Sequence, residues 1–221
     1  MPLARSLAAV ALAAITGIAD AAPRIVASIA PIHSLVAGVT GEITSPRLLV
    51  PGGRSPHTFA LTPSSTLALS DADAVFAAGD VTERFLQRPL EALASDAAIV
   101  HMTQIEGVRR LPARSGGEWR DSHAHGGERT DRATQRDHGP GHETGEPDPH
   151  VWLDPVNAIA FTRAAARTLG RIDPANADVY QRNAARRADE LRALDRALAR
   201  KLKPVADQPY LVFHDAYQYF E

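Results

Sequence analysis

Residues 24–39 read RIVASIAPIHSLVAGV, and the stretch that follows repeats the same construction. Arg24 to Ile29 is a short apolar run of strand character. Pro31 fits the first turn of a helix extending to about Val39, because a first-turn residue needs no backbone N–H. Ile43 to Val50 predicts a second strand, followed by the loop PGGRSPH. Pro63 to Ser70 predicts a helix and Ala74 to Ala78 a third strand. Thr82 to Leu93 predicts a further helix, with Asp80 or Thr82 as its N-cap, and Ala98 to Met102 (AIVHM) a fourth strand. Short apolar strands alternating with helices predict an α/β lobe built on a mainly parallel sheet with flanking helices. Ligands in such folds gather beyond the carboxyl ends of the strands, which places the loop carrying His57 favourably.

The composition narrows the chemistry. The chain has 221 residues, 44% of them apolar, enough to bury a core. A net charge of −2 gives no electrostatic case for binding nucleic acid or an anionic membrane surface. There is no cysteine, which excludes disulfides, thiolate zinc fingers, iron–sulfur clusters and cysteine nucleophiles. A metal site would have to use imidazole and oxygen ligands, and there are nine histidines to supply it.

Residues 1–21 have the form of a signal peptide. Arg5 gives a positive start, Leu7 to Ile18 an apolar stretch, and Ala19-Asp20-Ala21 a small-x-small cleavage site. The apolar run is shorter than the roughly 20 residues needed to span a bilayer. No cysteine stands near the cleavage site for a lipid anchor. We therefore expect an exported, soluble mature chain.

Residues 22–172 form the expected amino-terminal lobe, interrupted by residues 113–149. That segment holds seven of the 15 glycines and a single large apolar side chain, Trp119, so it lacks the surface to offset its ordering entropy and should be a mobile loop. Asn157 to Leu169 predicts a helix ended by Gly170. Residues 173–204 contain the clearest helix. Asp173 is the expected N-cap, Pro174 the first position and Pro204 the stop. Tyr180, Ala184, Ala188, Leu191, Leu194, Leu198 and Leu202 recur at helical spacing as one apolar stripe. At 1.5 Å per residue this helix reaches roughly 45 Å, enough to link two lobes. Tyr210 to Phe213 then predicts a strand, and the residues after His214-Asp215 a helix. Residues 205–221 thus read as the truncated start of a second α/β lobe.

Three histidines stand at junctions between elements: His57 in SPHTF, His150 in DPHVWLDP and His214 in VFHDAY. They form no local metal motif, and each follows an extended segment or tight turn ahead of a helix, where α/β folds gather ligand groups. Asp148, Asp154 and Asp215 could accept the second ring N–H of these histidines and fix their tautomers. His101, within AIVHM, and His33, near the first helix start, read as structural.

In combination and in order, SIAPIHSLVAGVTGE, SPHTFALTPS, the charged His-bearing loop, DPHVWLDP, DPANADVYQRNAARRADEL and FHDAYQYF make the chain resemble the zinc-uptake (ZnuA-type) periplasmic solute-binding proteins of ABC transporters. The resemblance covers residues 24–221. It implies two α/β lobes joined by one long helix, with the metal held in the cleft between them by His57, His150 and His214. Residues 113–149 then match the variable His-rich loop. Two departures stand out. A glutamate that precedes the first histidine in some members is Pro56 here, and the chain ends inside the first helix of the second lobe.

Three neutral imidazoles leave one tetrahedral position for water or a carboxylate, and a nitrogen-rich set favours zinc over manganese or iron. The expected function is periplasmic capture of zinc, as transported ligand, and its delivery to an ABC permease in the inner membrane, by a monomer without enzymatic activity. The alternatives are manganese or iron uptake by the same transporter class, or a secreted zinc hydrolase, against which no glutamate is placed as in HExxH. His123, His125, His138 and His142, in the glycine-rich segment, are either solvated loop residues or an auxiliary zinc site.

Overall fold

The structure, a computed structural model, describes residues 21–114, 147–212 and 214–221. The signal-peptide residues and the loop histidines therefore lie outside it, apart from Ala21 and the loop's two edges.

Four strands, β1 (Ile25–Ala27), β2 (Arg47–Leu48), β3 (Ala74–Ala77) and β4 (Ala98–His101), form one sheet in the order β2-β1-β3-β4, parallel throughout. Three helices link consecutive strands: α1 (Ala30–Thr40), α2 (Pro63–Ser70) and α3 (Gln87–Leu93). A parallel pair needs such crossovers, and they leave both faces of the central strands β1 and β3 covered, which is why those two are unbroken apolar runs. The period of two survives in the packing. Ile25, Ala27, Ala74 and Phe76 face one core with α1, α4 (Pro155–Ile172) and α5 (Ala177–Leu202). Val26, Val75 and Ala77 face the other, with Leu69, Leu86, Leu90 and Ala94. Phe76 meets Phe161 edge to face, ring centroids 6.0 Å apart, and truncating either to alanine would cost roughly 3–5 kcal/mol.

Several expectations are corrected. β2 is two residues long because Pro46 and Pro51 bracket it, although Leu49 and Val50 still donate to Ala27 and Ser28. The helix expected from Thr82 begins as a 3-10 turn at Arg84–Leu86, and neither Asp80 nor Thr82 caps it. Instead Thr82 and Glu83 both donate backbone N–H groups to the Gly79 carbonyl, a tight turn closed by the Glu83 carboxyl accepting from the Gly79 N–H at 3.1 Å.

Asp154 caps α4 by accepting from Val156 N–H at 2.8 Å, and α4 continues through Gly170 to Ile172. Gly170 serves close packing, not termination: a Cβ there would lie 3.2 Å from that of Ala177. Asp173 makes no side-chain cap to the following helix. Its carboxylate accepts from the Tyr180 hydroxyl at 2.7 Å and the Asn176 amide at 2.8 Å, joining the α4–α5 turn to the helix face. Burial and that carboxylate raise the Tyr180 pKa above its ordinary 10.

Along α5 the apolar stripe divides. Tyr180, Ala184 and Ala188 are buried against the lobe, whereas Leu194 is half exposed. The strand expected at Tyr210–Phe213 does not form among the described residues, because none of the four strands runs beside it; Tyr210 and Leu211 are exposed. The helix expected after Asp215 is only a turn at residues 218–220. Among the described residues no helix is long and apolar enough to cross a membrane.

Candidate metal centre

His57 lies in a 3-10 turn, Pro56–Thr58, on the loop that leaves the carboxyl end of β2. Phe59, two residues on, packs edge to face on Phe85, with centroids 5.2 Å apart, so the turn after β3 supports the loop. His150 precedes the 3-10 turn Val151–Leu153 that enters α4, and His214 follows α5. Residues 93 and 64 positions apart are thereby brought together.

Their ring centroids are 6.2 Å apart for His57–His150, 5.8 Å for His57–His214 and 5.0 Å for His150–His214, each pair edge-on. One nitrogen from each ring can be chosen so that all three lie within 4.8 Å of one another. The Nε2 atoms of His150 and His214 are 3.1 Å apart. A tetrahedral zinc with Zn–N bonds of about 2.0–2.1 Å sets its ligand nitrogens about 3.3–3.4 Å apart, close to the observed edge. Exposure is graded across the three: His150 is buried, His57 intermediate and His214 exposed.

His150 is the most constrained. Asp148 Oδ1 lies 2.9 Å from the His150 backbone N and 2.7 Å from its Nδ1, with both side chains almost fully buried. A carboxylate only accepts, so Nδ1 carries the hydrogen and Nε2 presents its lone pair to the other two rings. Trp152 covers another edge of the ring at 5.3 Å.

The other acidic neighbours do different work. Asp154 caps α4 and pairs with Arg109 at 3.0 Å; Asp215 pairs with Arg114 at 2.7 Å, and Arg114 also reaches Glu221 at 2.6 Å. His33 lies 2.9 Å from the Pro46 carbonyl, and as that oxygen only accepts, the ring nitrogen donates. His101 faces Asp80, 3.4 Å away. Neither belongs to the three-histidine cluster. His123, His125, His138 and His142 lie outside the described residues.

Sequence reasoning missed three supporting residues. Asn157, fully buried, accepts from Arg109 N–H and donates to the carbonyls of Arg109 and Val151, tying the entry to α4 to the backbone of Arg109. Tyr219 accepts from Leu111 N–H at 2.8 Å and donates to the Asp148 carbonyl at 2.9 Å. Glu83, also buried, lies in the turn after β3, where desolvation lifts its carboxyl to about 7 against the opposing pull of the Ser28 hydroxyl and backbone N–H groups. The only signal for Asn157 was a polar residue flanked by apolar ones, which does not single out a position, and Glu83, between Thr82 and Arg84, carried no signal at all.

Residues 25–221 match the profile of a family described as zinc-uptake complex component A, periplasmic (ZnuA). The chain belongs to the ZnuA family. It is 40% identical over 212 residues to the high-affinity zinc uptake system protein ZnuA of Brucella abortus (strain 2308), covering 89% of this chain and 63% of that protein. The protein of the same name from Yersinia pestis is 32% identical over 201 residues, covering 91% and 63%. The chain therefore spans less than two thirds of the length of these curated relatives. Among solved structures, a zinc-bound 138-173 deletion mutant of ZnuA superposes with a TM-score of 0.71 at 25% identity, over 90% of this chain and 65% of that one. Zn(II)-bound AdcA from Streptococcus pneumoniae shares the fold, with a TM-score of 0.67 at 23% identity over 90% and 36%. The ZnuA-like fold of this chain is thus a four-stranded parallel sheet with flanking helices and one long helix.

Proposed function

We propose that this chain captures zinc in the periplasm with high affinity and passes it to the permease of an ABC transporter, with His57, His150 and His214 as the metal ligands. The observation that carries the reading is the approach of three imidazole nitrogens to within 4.8 Å of one another, one of them oriented by Asp148. Three neutral nitrogens suit zinc better than manganese, which favours oxygen ligands. Relatives sharing up to 40% identity carry zinc uptake in their names, the family is described as periplasmic, and residues 1–21 have the form of an export signal. On this reading residues 22–172 are the amino-terminal lobe, 173–204 the linking helix and 205–221 the beginning of a second lobe.

Binding is favoured over hydrolysis because the acidic groups beside the histidines are engaged. Asp148 holds a ring, Asp154 caps a helix beside Arg109, and Asp215 pairs with Arg114. None is placed to activate a water as general base.

Isothermal titration of the mature chain with zinc and, separately, manganese tests the reading. One saturable zinc site of sub-micromolar Kd, abolished by alanine at any of the three histidines, is expected. Manganese binding tighter than zinc, or zinc binding indifferent to all three substitutions, would overturn it.

A further inference from the structure

The segment that delivers His214 has little to hold it. Among the described residues 206–221, only Tyr219 is buried, at 4% exposure. Its ring enters the main core, and its hydroxyl reaches two backbone groups more than 70 positions away, accepting from Leu111 and donating to Asp148. Leu111 and Asp148 are themselves joined, the Asp148 N–H donating to the Leu111 carbonyl at 2.8 Å. The hydroxyl thus closes a three-cornered backbone knot, and one corner is the residue whose side chain orients His150.

We propose that Tyr219 is a positioning residue of the metal centre, its hydroxyl latching the His214 segment onto the Asp148–His150 pair and so setting the spacing of the two imidazoles. His214 is five residues before Tyr219, so fixing one end of that short turn limits where the other can go. On the far side, a displaced Asp148 backbone would carry its carboxylate off the His150 ring. Arg114, through Asp215 and Glu221, ties the same segment to the lobe, but that clamp is solvated and worth correspondingly less. The buried hydroxyl, with both of its hydrogen bonds made to backbone, is the specific anchor.

The proposal rests on the three-histidine reading above, and the test separates the two. Zinc affinity is measured by chelator competition for the wild type, Tyr219→Phe, Asp148→Ala and the double variant, with thermal melting of each metal-free protein. Tyr219→Phe should lose about tenfold in zinc affinity, as expected for an outer partner of a ligand, while melting within a few degrees of wild type. The double variant should bind no more weakly than Asp148→Ala, because both changes break one chain of contacts. In the metal-free proteins, NMR cross-relaxation between the His150 and His214 rings should be present in the wild type and lost in Tyr219→Phe. That readout needs no zinc, so a wild type that failed to bind the metal would sink the functional reading alone. Affinity within twofold of wild type, multiplicative losses in the double variant, retained ring-to-ring contacts, or a Tyr219→Phe protein that does not fold would each overturn the latch.

Discussion

A single oxygen of Asp148 holds both the backbone N–H and the ring Nδ1 of His150, at 2.9 and 2.7 Å. One carboxylate therefore fixes the position of the residue and the rotation of its ring together. Replacing His150 by alanine should lower zinc affinity at least a hundredfold, and Asp148→Ala should lower it 10–100-fold while leaving all three imidazoles in the chain. Competition against a chromophoric chelator at neutral pH measures both. Equal, small losses for the two variants would show that His150 is not a ligand.

Zinc affinity should fall steeply with acidification. Each imidazole must be neutral to bind, so protons compete with the metal at all three ligands. The limiting slope is about three decades of affinity per pH unit for three histidines. Competition titrations at pH 7.5, 6.5 and 5.5 give the slope, and a flat profile would argue against imidazole ligands.

Glu83 predicts a pH dependence of folding that is independent of metal. Its folded-state pKa of about 7 lies above the ordinary 4.5, so the folded chain holds this proton more tightly than the unfolded one. Stability is full below about pH 4.5 and is lost as pH rises toward 7, at ~1.4 kcal/mol per pH unit. Glu83→Gln stays neutral and keeps an acceptor for the Gly79 N–H. The difference in unfolding free energy between wild type and Glu83→Gln should shift by about 2–3 kcal/mol in favour of the variant between pH 5 and pH 8, read by urea denaturation. A constant difference would show that Glu83 is ionised throughout.

Residues 115–146 should be dispensable for the main site. The chain enters and leaves that segment through a bridge between Pro112 and Pro147, and the Leu111–Asp148 hydrogen bond and Tyr219 hold the two sides together. Replacing 115–146 with a short Gly-Ser linker should leave zinc affinity at the three-histidine centre within about threefold, while stoichiometry would drop if His123, His125, His138 and His142 take additional zinc. A large loss of affinity at the main centre would place part of that centre in the segment.

Most of the alternating elements of residues 24–102 were legible because β1, β3 and β4 are largely apolar runs and α1 and α2 each carry a proline in their first turn. Pro63, for instance, marks the start of α2, and Thr62 accepts from Ser65 N–H as its cap. What local pattern could not contain was long-range. Gly170 looks like a helix terminator until Ala177 is brought beside it, and Tyr210–Val212 looks like a strand although, among the described residues, no strand runs beside it. The three histidines were marked by their junction positions and by the family resemblance, whereas Tyr219 was invisible because its partners are Leu111 and the backbone of Asp148. A backbone hydrogen bond leaves no trace in the identity of the residue that makes it.

The grading of exposure from His150 through His57 to His214 has a kinetic consequence. Ligand exchange at a metal proceeds one bond at a time, and the ring that can swing into solvent without disturbing the core is the first to let go and the last to close. On the proposed zinc reading, an incoming ion would be seized from the interior outward, and unloading would begin at His214, the exposed ring of the three.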